Sequence, residues 1–148
     1  MYENVGSSSL YPINFRRRPS SDPDKNRESV QKLVRVNARR FDSLDIPSPD
    51  LLAMDTEGSE LKILVGFGQS IRQVKFIILE TSFWNNYQNH SDVSTFPRIN
   101  KYLKENGFQF IASNHEGNRQ FPRRSIRRTI LNQHQPNFDV LYCNKSLL

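Results

Sequence analysis

The pattern of apolar and polar residues changes sharply near residue 50. Residues 1–29 are rich in Ser, Asn, Asp, Pro and Arg, and they predict a loop-rich lead-in. A half-exposed strand is predicted over Leu33–Phe41, where apolar residues alternate with arginines. Pro47 and Pro49 then interrupt the chain, so the regular part of the fold is expected to follow them.

Two short apolar runs after this break have the length and composition of buried strands. Leu51–Met54 and Val74–Leu79 predict parallel strands that are covered on both faces. Between them, the apolar residues of Leu61–Val65 recur at helical spacing, and Glu60 and Lys62 are expected to face water. The pattern therefore predicts a strand, a helix and a second strand.

The remaining apolar positions predict one more helix and two closing strands. The helix covers Phe96–Leu103, with Pro97 in its first turn and Gly107 at its end. Phe108–Ile111 and Phe138–Tyr142 read as the last two strands. The order strand, helix, strand, helix, strand, strand is that of an α/β sheet that is parallel first and antiparallel at its end.

Composition fits one small domain over residues 30–148. The chain has 148 residues, of which 36% are hydrophobic. It has no apolar run of about 18 residues that would predict a membrane span, and its first residues do not have the pattern of a secretory signal. Cys143 is the only cysteine and is expected to pack as a small hydrophobic side chain in a strand. These features favour a cytoplasmic compartment.

The formal charge of +6 comes from the two flanks of the chain, since acidic residues outnumber basic ones over residues 41–110. Arg16–Arg18 and Arg119–Arg128 are the basic clusters. These clusters indicate either solvated loops or sites that bind phosphate groups. In the second interpretation the protein is a non-catalytic α/β module that binds anionic partners such as nucleic acid.

Acidic residues follow both predicted parallel strands. Asp55 and Glu57 come after the first strand, and Glu80 ends the second. The carboxyl ends of neighbouring parallel strands meet at one rim, where open α/β sheets bind ligands. Such a rim can hold an amine, a ribose hydroxyl or a cation, or accept a proton from an attacking hydroxyl. The same acids are also typical helix caps, and the pattern alone leaves both interpretations open.

Other candidate site residues give weaker indications of function. Trp84 lies just past Glu80, where it can line a substrate pocket or equally cap the core. His90, His115 and His134 are widely spaced and form no zinc-binding pattern, so no metal site is predicted.

Several spaced stretches resemble the FkbM-type S-adenosylmethionine-dependent methyltransferases. They are Phe41–Asp45, Met54–Leu61, Ile77–Glu80, Leu103–Phe108 and Phe138–Tyr142, and together they cover residues 30–145. The resemblance implies a Rossmann-like methyltransferase sheet. It also implies transfer of a methyl group from S-adenosylmethionine to an oxygen nucleophile.

The resemblance also implies roles for individual residues. Asp55, Glu57 and Glu80 would be catalytic, and Asp55 and Gly58 would contact the cofactor. Glu80 and Trp84 would contact the methyl acceptor, which is expected to be a small molecule or glycan-like.

The sequence departs from the family pattern in two respects. Ala53 stands where the family usually has lysine, and no glycine-rich turn follows a strand. Gly66–Gly68 matches the Gly-x-Gly pattern of such a turn, but it follows a predicted helix and not a strand. It is therefore expected to end that helix. Gly6–Tyr11 resembles the stretch after the family's third strand. The chain is therefore expected to be a partial domain without the cofactor-binding half. The sequence leaves open whether this chain alone binds the cofactor and is active, and it predicts a chain that is marginally stable or that associates with itself or a complementary chain.

Overall fold

The structure is a computed structural model that describes residues 2–4, 7–12, 32–83, 92–115 and 137–147. Its strands and α-helices, in chain order, are β1 (Tyr2–Asn4), β2 (Ser7–Ser9), β3 (Lys32–Leu33), β4 (Leu51–Met54), α1 (Glu60–Gly66), β5 (Phe76–Thr81), α2 (Phe96–Glu105), β6 (Phe108–His115) and β7 (Phe138–Asn144). Two 3-10 helices, Phe41–Ser43 and Gly68–Gln73, complete the described elements. Over these ranges, no helix combines the length and the apolar character needed to cross a membrane.

The main sheet has four strands in the order β4-β5-β7-β6. β4 and β5 are parallel, with Leu51 opposite Phe76. β7 runs antiparallel to both β5 and β6, and the β6 register shifts between Phe110 and Ala112. The predicted order of elements, and the change from parallel to antiparallel pairing, are confirmed.

A second sheet has three short strands in the order β2-β1-β3. β1 pairs antiparallel with both neighbours, so that Tyr2 lies opposite Ser9 on one side and Leu33 on the other. β1 and β2 belong to the segment for which the sequence predicted mainly loops.

The predicted strand over Leu33–Phe41 is wrong for most of its length. The strand ends at Leu33, and Phe41 begins a 3-10 helix. The Phe41 ring stacks on Phe67 with 4.0 Å between ring centroids and an angle of 10° between ring planes. Packing against the end of α1 therefore outweighs the strand preference of the alternating pattern.

The helices pack against one face of the main sheet. Leu79 of β5 and Tyr142 of β7 point to that face, and neither is more than 1% exposed. The helical side chains that cover them include Leu64, Ile99 and Leu103, each of which is fully buried. Removal of this apolar surface from water is the main stabilising contribution to the domain.

The opposite face of β4 is open, so the prediction of strands covered on both faces is wrong. Leu51 is 55% exposed and Ala53 is also exposed, whereas Met54 is buried. Phe76 of β5, the partner of Leu51, is 36% exposed. An unbroken apolar run indicates a strand but does not reveal how many layers cover it.

The predicted helix ends are confirmed. α1 ends at Gly66, and Gly68 takes a φ of 54° as the chain turns into the next 3-10 helix. Pro97 occupies the first turn of α2, and Gly107 follows that helix with a φ of 90°. Cys143 is buried in β7, as expected for a small hydrophobic side chain.

Candidate functional site

Three carboxylates meet at the carboxyl ends of β4 and β5. Asp55 directly follows β4, Glu57 lies in the turn after it, and Glu80 is the penultimate residue of β5. One carboxylate oxygen from each of the three side chains lies within 4.8 Å of the others. We name this group the acidic rim. The structure brings together the three acids that the sequence singled out, while their chemical roles stay predictions.

The turn that carries Asp55 and Glu57 has an unusual backbone. Glu57 has a φ of 51° and Gly58 a φ of 98°, so two successive residues lie in the left-handed region. Glycine adopts that conformation without steric cost, but a residue with a side chain does not. The Ser59 hydroxyl donates a hydrogen bond to the Thr56 carbonyl at 2.8 Å, which closes the turn before α1 begins.

Glu60 was predicted to face water, and this prediction is wrong. The residue is 3% exposed. Its Oε1 atom accepts hydrogen bonds from the Thr56 N–H at 3.0 Å, the Thr56 hydroxyl at 3.0 Å and the Gly58 N–H at 3.2 Å. N–H groups near the start of a helix lack intrahelical partners and draw such a side chain inward. An acid in the first turn of a helix is the signal that could have revealed this role.

Ser94 holds the turn from the side of α2. Its N–H donates to the Gly58 carbonyl at 2.9 Å, and its hydroxyl oxygen accepts from the Leu61 N–H at 2.7 Å. Both polar backbone groups of Gly58 are therefore engaged within the protein, since its N–H donates to Glu60. Gly58 allows the tight turn to form, and its N–H is already committed to a protein acceptor.

Ser9 holds the same turn from the side of the second sheet. Its hydroxyl donates to the Glu57 carbonyl at 2.6 Å and accepts from the Tyr11 N–H at 3.1 Å. Ser9 and Ser94 are both buried. Sequence reasoning missed both residues, because isolated serines give no signal of distant contacts.

Glu80 is held by the segment that leads into β7. Its Oε2 atom accepts a hydrogen bond from the Asn137 side-chain amide at 3.1 Å. In the sheet, Glu80 lies opposite Asp139 of β7. The third acid is thus positioned by the antiparallel part of the sheet, whereas Asp55 and Glu57 depend on the turn after β4.

Lys62 is exposed as predicted, but it also makes specific contacts. Its Nζ atom lies 2.6 Å from an Asp92 carboxylate oxygen and 4.8 Å from the centroid of the Tyr11 ring. The hydrogen bond with Asp92 is the main cause that raises the pKa of Lys62, and burial raises the pKa of the Tyr11 phenol. These contacts join α1 to the segments that carry Ser9 and Ser94.

The Gly66–Gly68 stretch lies away from the acidic rim. α1 begins beside the rim with Glu60 and ends at Gly66, and seven helical residues span about 10 Å. A Cβ atom on Gly66 would have the Arg40 backbone as its nearest neighbour, at 3.9 Å. This stretch therefore ends the helix and cannot cradle a ligand at the rim.

Several other candidates lie outside the described residues. They are Trp84, His90, His134 and the Arg16–Arg18 and Arg119–Arg128 clusters. Their predicted roles stay predictions.

One protein family matches the chain over most of its length. The family described as "Methyltransferase FkbM domain" matches residues 2–110, which include all three acids of the rim. The matched range begins before residues 30–145, over which the sequence resembles the family, and it ends within β6. Neither the curated proteins nor the solved structures contain a significant match.

Proposed function

The chain belongs to the FkbM methyltransferase domain family, and we propose that it transfers a methyl group from S-adenosylmethionine to an oxygen nucleophile at the acidic rim. The observation that carries the proposal is the meeting of three carboxylates within 4.8 Å at the ends of two neighbouring parallel strands. This edge is where open α/β sheets bind their ligands.

The acidic rim suits the cationic end of the donor. S-adenosylmethionine supplies, when bound, a methyl group attached to a positively charged sulfonium. Carboxylates attract such a cation and accept hydrogen bonds from ribose hydroxyls and from an ammonium group. Asp55 is the exposed member of the rim and the proposed contact with the cofactor. Gly58, the other proposed cofactor residue, contributes by permitting the turn that presents Asp55.

Glu80 is proposed to orient the methyl acceptor. Asn137 holds one of its carboxylate oxygens, which restricts the directions from which an acceptor hydroxyl can approach. Glu57, within 4.8 Å of both other acids, is proposed to accept the hydroxyl proton as the oxygen attacks. A small-molecule or glycan-like acceptor fits this chemistry, because each hydroxyl can donate to a separate carboxylate. Trp84 follows Glu80 in sequence and is proposed to contact the same acceptor.

The alternative function is a non-catalytic module that binds anionic partners. The net charge of +6 and the two arginine clusters support it. The described glycines also form no glycine-rich turn at the rim, which favours this alternative over cofactor binding. The rim itself does not suit such partners, since its three carboxylates repel phosphate groups, so this function would rest on the arginine clusters.

Calorimetric titration of the full chain with S-adenosylmethionine tests the proposal. We expect binding by the native chain and a loss of about tenfold or more in affinity for Asp55→Asn. Asp50→Asn is the matched control, because Asp50 is an exposed acid at the other end of β4, where it pairs with Lys75 at 3.0 Å. The control should keep its affinity within about twofold.

A second titration separates the two functions. An oligonucleotide should bind with an affinity that falls steeply as salt rises if the arginine clusters hold phosphate groups. No heat with S-adenosylmethionine, together with salt-sensitive binding of the oligonucleotide, would show that the methyltransferase proposal is wrong. Cofactor binding that is lost in Asp55→Asn but kept in Asp50→Asn would support it.

A further inference from the structure

Glu60 is a buried carboxylate that forms hydrogen bonds with the turn that carries two acids of the rim. It is 3% exposed, and its Oε1 atom accepts three hydrogen bonds from Thr56 and Gly58. Burial of a carboxylate is unfavourable unless hydrogen bonds satisfy it. The side chain and the turn therefore hold each other in place.

The segment that Glu60 holds carries two of the three rim acids. Asp55 precedes Thr56 directly, and Glu57 lies between Thr56 and Gly58. Glu57 has a φ of 51°, which residues other than glycine adopt rarely and keep only when the surrounding contacts impose it. The hydrogen bonds to Glu60 fix the residue on each side of Glu57, and so they contribute to imposing this conformation.

We propose that Glu60 is a positioning residue that sets the directions of the Asp55 and Glu57 carboxylates. The inference rests on the proposed function, in which those two carboxylates contact the cofactor and the acceptor. Glu60 acts through Thr56 and Gly58 and does not touch either ligand. Its place in the first turn of α1 adds a favourable interaction between its negative charge and the start of the helix.

The first test measures the turn itself by NMR in the full chain with Glu60→Gln. The amide protons of Thr56 and Gly58 lose a charged acceptor, so their signals should shift upfield and their exchange with solvent should become about tenfold faster. Glu105→Gln, at an exposed glutamate that ends α2, should leave both amides unchanged. Unchanged amides in Glu60→Gln would overturn the inference, whether or not the chain binds the cofactor.

The second test measures the consequence for the ligand. Glu60→Gln should weaken S-adenosylmethionine binding about tenfold or more, because the rim acids lose their orientation. Gly68→Ala strains the start of the 3-10 helix that follows α1, away from the rim, and should keep its affinity within about twofold. This control separates misplacement of the rim from loss of stability. Altered amides with unchanged affinity would show that Glu60 has a structural role only, and would overturn the inference. If the native chain binds no cofactor, the proposed function fails, and the amide signals then decide only whether Glu60 holds the turn that carries Asp55 and Glu57.

Discussion

A Cβ atom on Gly68 would lie 2.5 Å from the Oδ2 atom of Asp42. Gly68 also has a φ of 54°, which an L side chain rarely adopts. An alanine here would displace the Asp42 carboxylate, to which the Arg40 guanidinium donates a hydrogen bond of 2.9 Å from Nε to Oδ1. The Arg40 guanidinium also holds the pKa of the Asp42 carboxyl below its usual range. The backbone conformation and the short contact therefore both favour glycine at this position.

Gly68→Ala is expected to lower the free energy of unfolding by about 1–2 kcal/mol, because alanine is strained at a φ of 54°. Urea denaturation of the full chain measures this change. Gly66→Ala is the control two residues earlier, because its nearest contact would be an ordinary 3.9 Å and its backbone is helical. The control should be neutral or gain up to about 1 kcal/mol. Equal losses in the two variants would contradict the argument.

Leu64 and Val65 are adjacent on α1 but differ in burial, at 0% and 44% exposure. Leu64→Ala is expected to lower the free energy of unfolding by about 2–5 kcal/mol, since it removes most of a buried helical side chain from the core between α1 and the sheet. Val65→Ala should change stability by no more than about 0.5 kcal/mol. Urea denaturation of the two variants compares them directly. A large loss at Val65 would show that another surface covers this side of the helix.

Asn144 joins the end of β7 to the 3-10 helix before β5. It is 1% exposed, and its side-chain amide donates to the carbonyls of Arg72 at 2.8 Å and Val74 at 3.3 Å. Asn144→Asp replaces the donor with an acceptor that faces two carbonyls, so we expect a loss above about 3 kcal/mol. Asn144→Ala should cost less, about 1–3 kcal/mol. Thermal or urea denaturation compares the stabilities of the two variants. An Asn144→Asp variant as stable as the native chain would refute the role of the Asn144 amide as a donor to the two carbonyls.

Tyr142 should make the protein less stable in alkali. Burial raises the pKa of its phenol well above the ordinary value. Below about pH 10 the phenol is protonated in both folded and unfolded chains, so its contribution to stability is fully present. Above that pH the unfolded chain loses the proton while the folded chain keeps it, and stability falls by up to about 1.4 kcal/mol per pH unit.

Tyr142→Phe tests this pH dependence. At neutral pH the variant should lose about 1 kcal/mol, because the phenol donates to the Asn100 side chain at 3.1 Å. From about pH 10 upward its stability should fall less steeply than that of the native chain. Tyr11 and Tyr102 also have raised pKa values and will leave a residual slope. If the urea midpoints of the two proteins fell in parallel as pH rises, Tyr142 would be excluded as a source of the alkaline loss of stability.

The order of elements could be predicted because local signals specify it. Apolar runs mark β4 and β5, and Pro97 and Gly107 mark the ends of α2 through the backbone geometry that each residue favours. The exposure of Leu51 could not be predicted in this way, because it depends on which layers surround the strand. Phe41 shows the same limit, since its stacking on Phe67 joins residues that are 26 positions apart.

The acidic rim was predictable for a geometrical reason. Neighbouring parallel strands end at one edge of the sheet, so acids at the carboxyl ends of β4 and β5 are expected to come close together. The supports of the rim were not predictable. Ser9 contacts Glu57 across 48 positions of sequence, and Ser94 contacts Leu61 across 33. An isolated serine that forms a hydrogen bond with a backbone group far away in the sequence produces no periodic pattern from which the contact could be predicted.

The place of β7 in the main sheet has a consequence for how the protein is made. β7 follows β6 in the chain but lies between β5 and β6. During synthesis, β4 and β5 can pair and α2 can form, but β7, the partner of β6 among the described strands, leaves the ribosome later. Of the described strands, the nascent chain therefore carries a β4–β5 pair and a separate β6 until β7 joins them, and pairing of this long-range kind is slow.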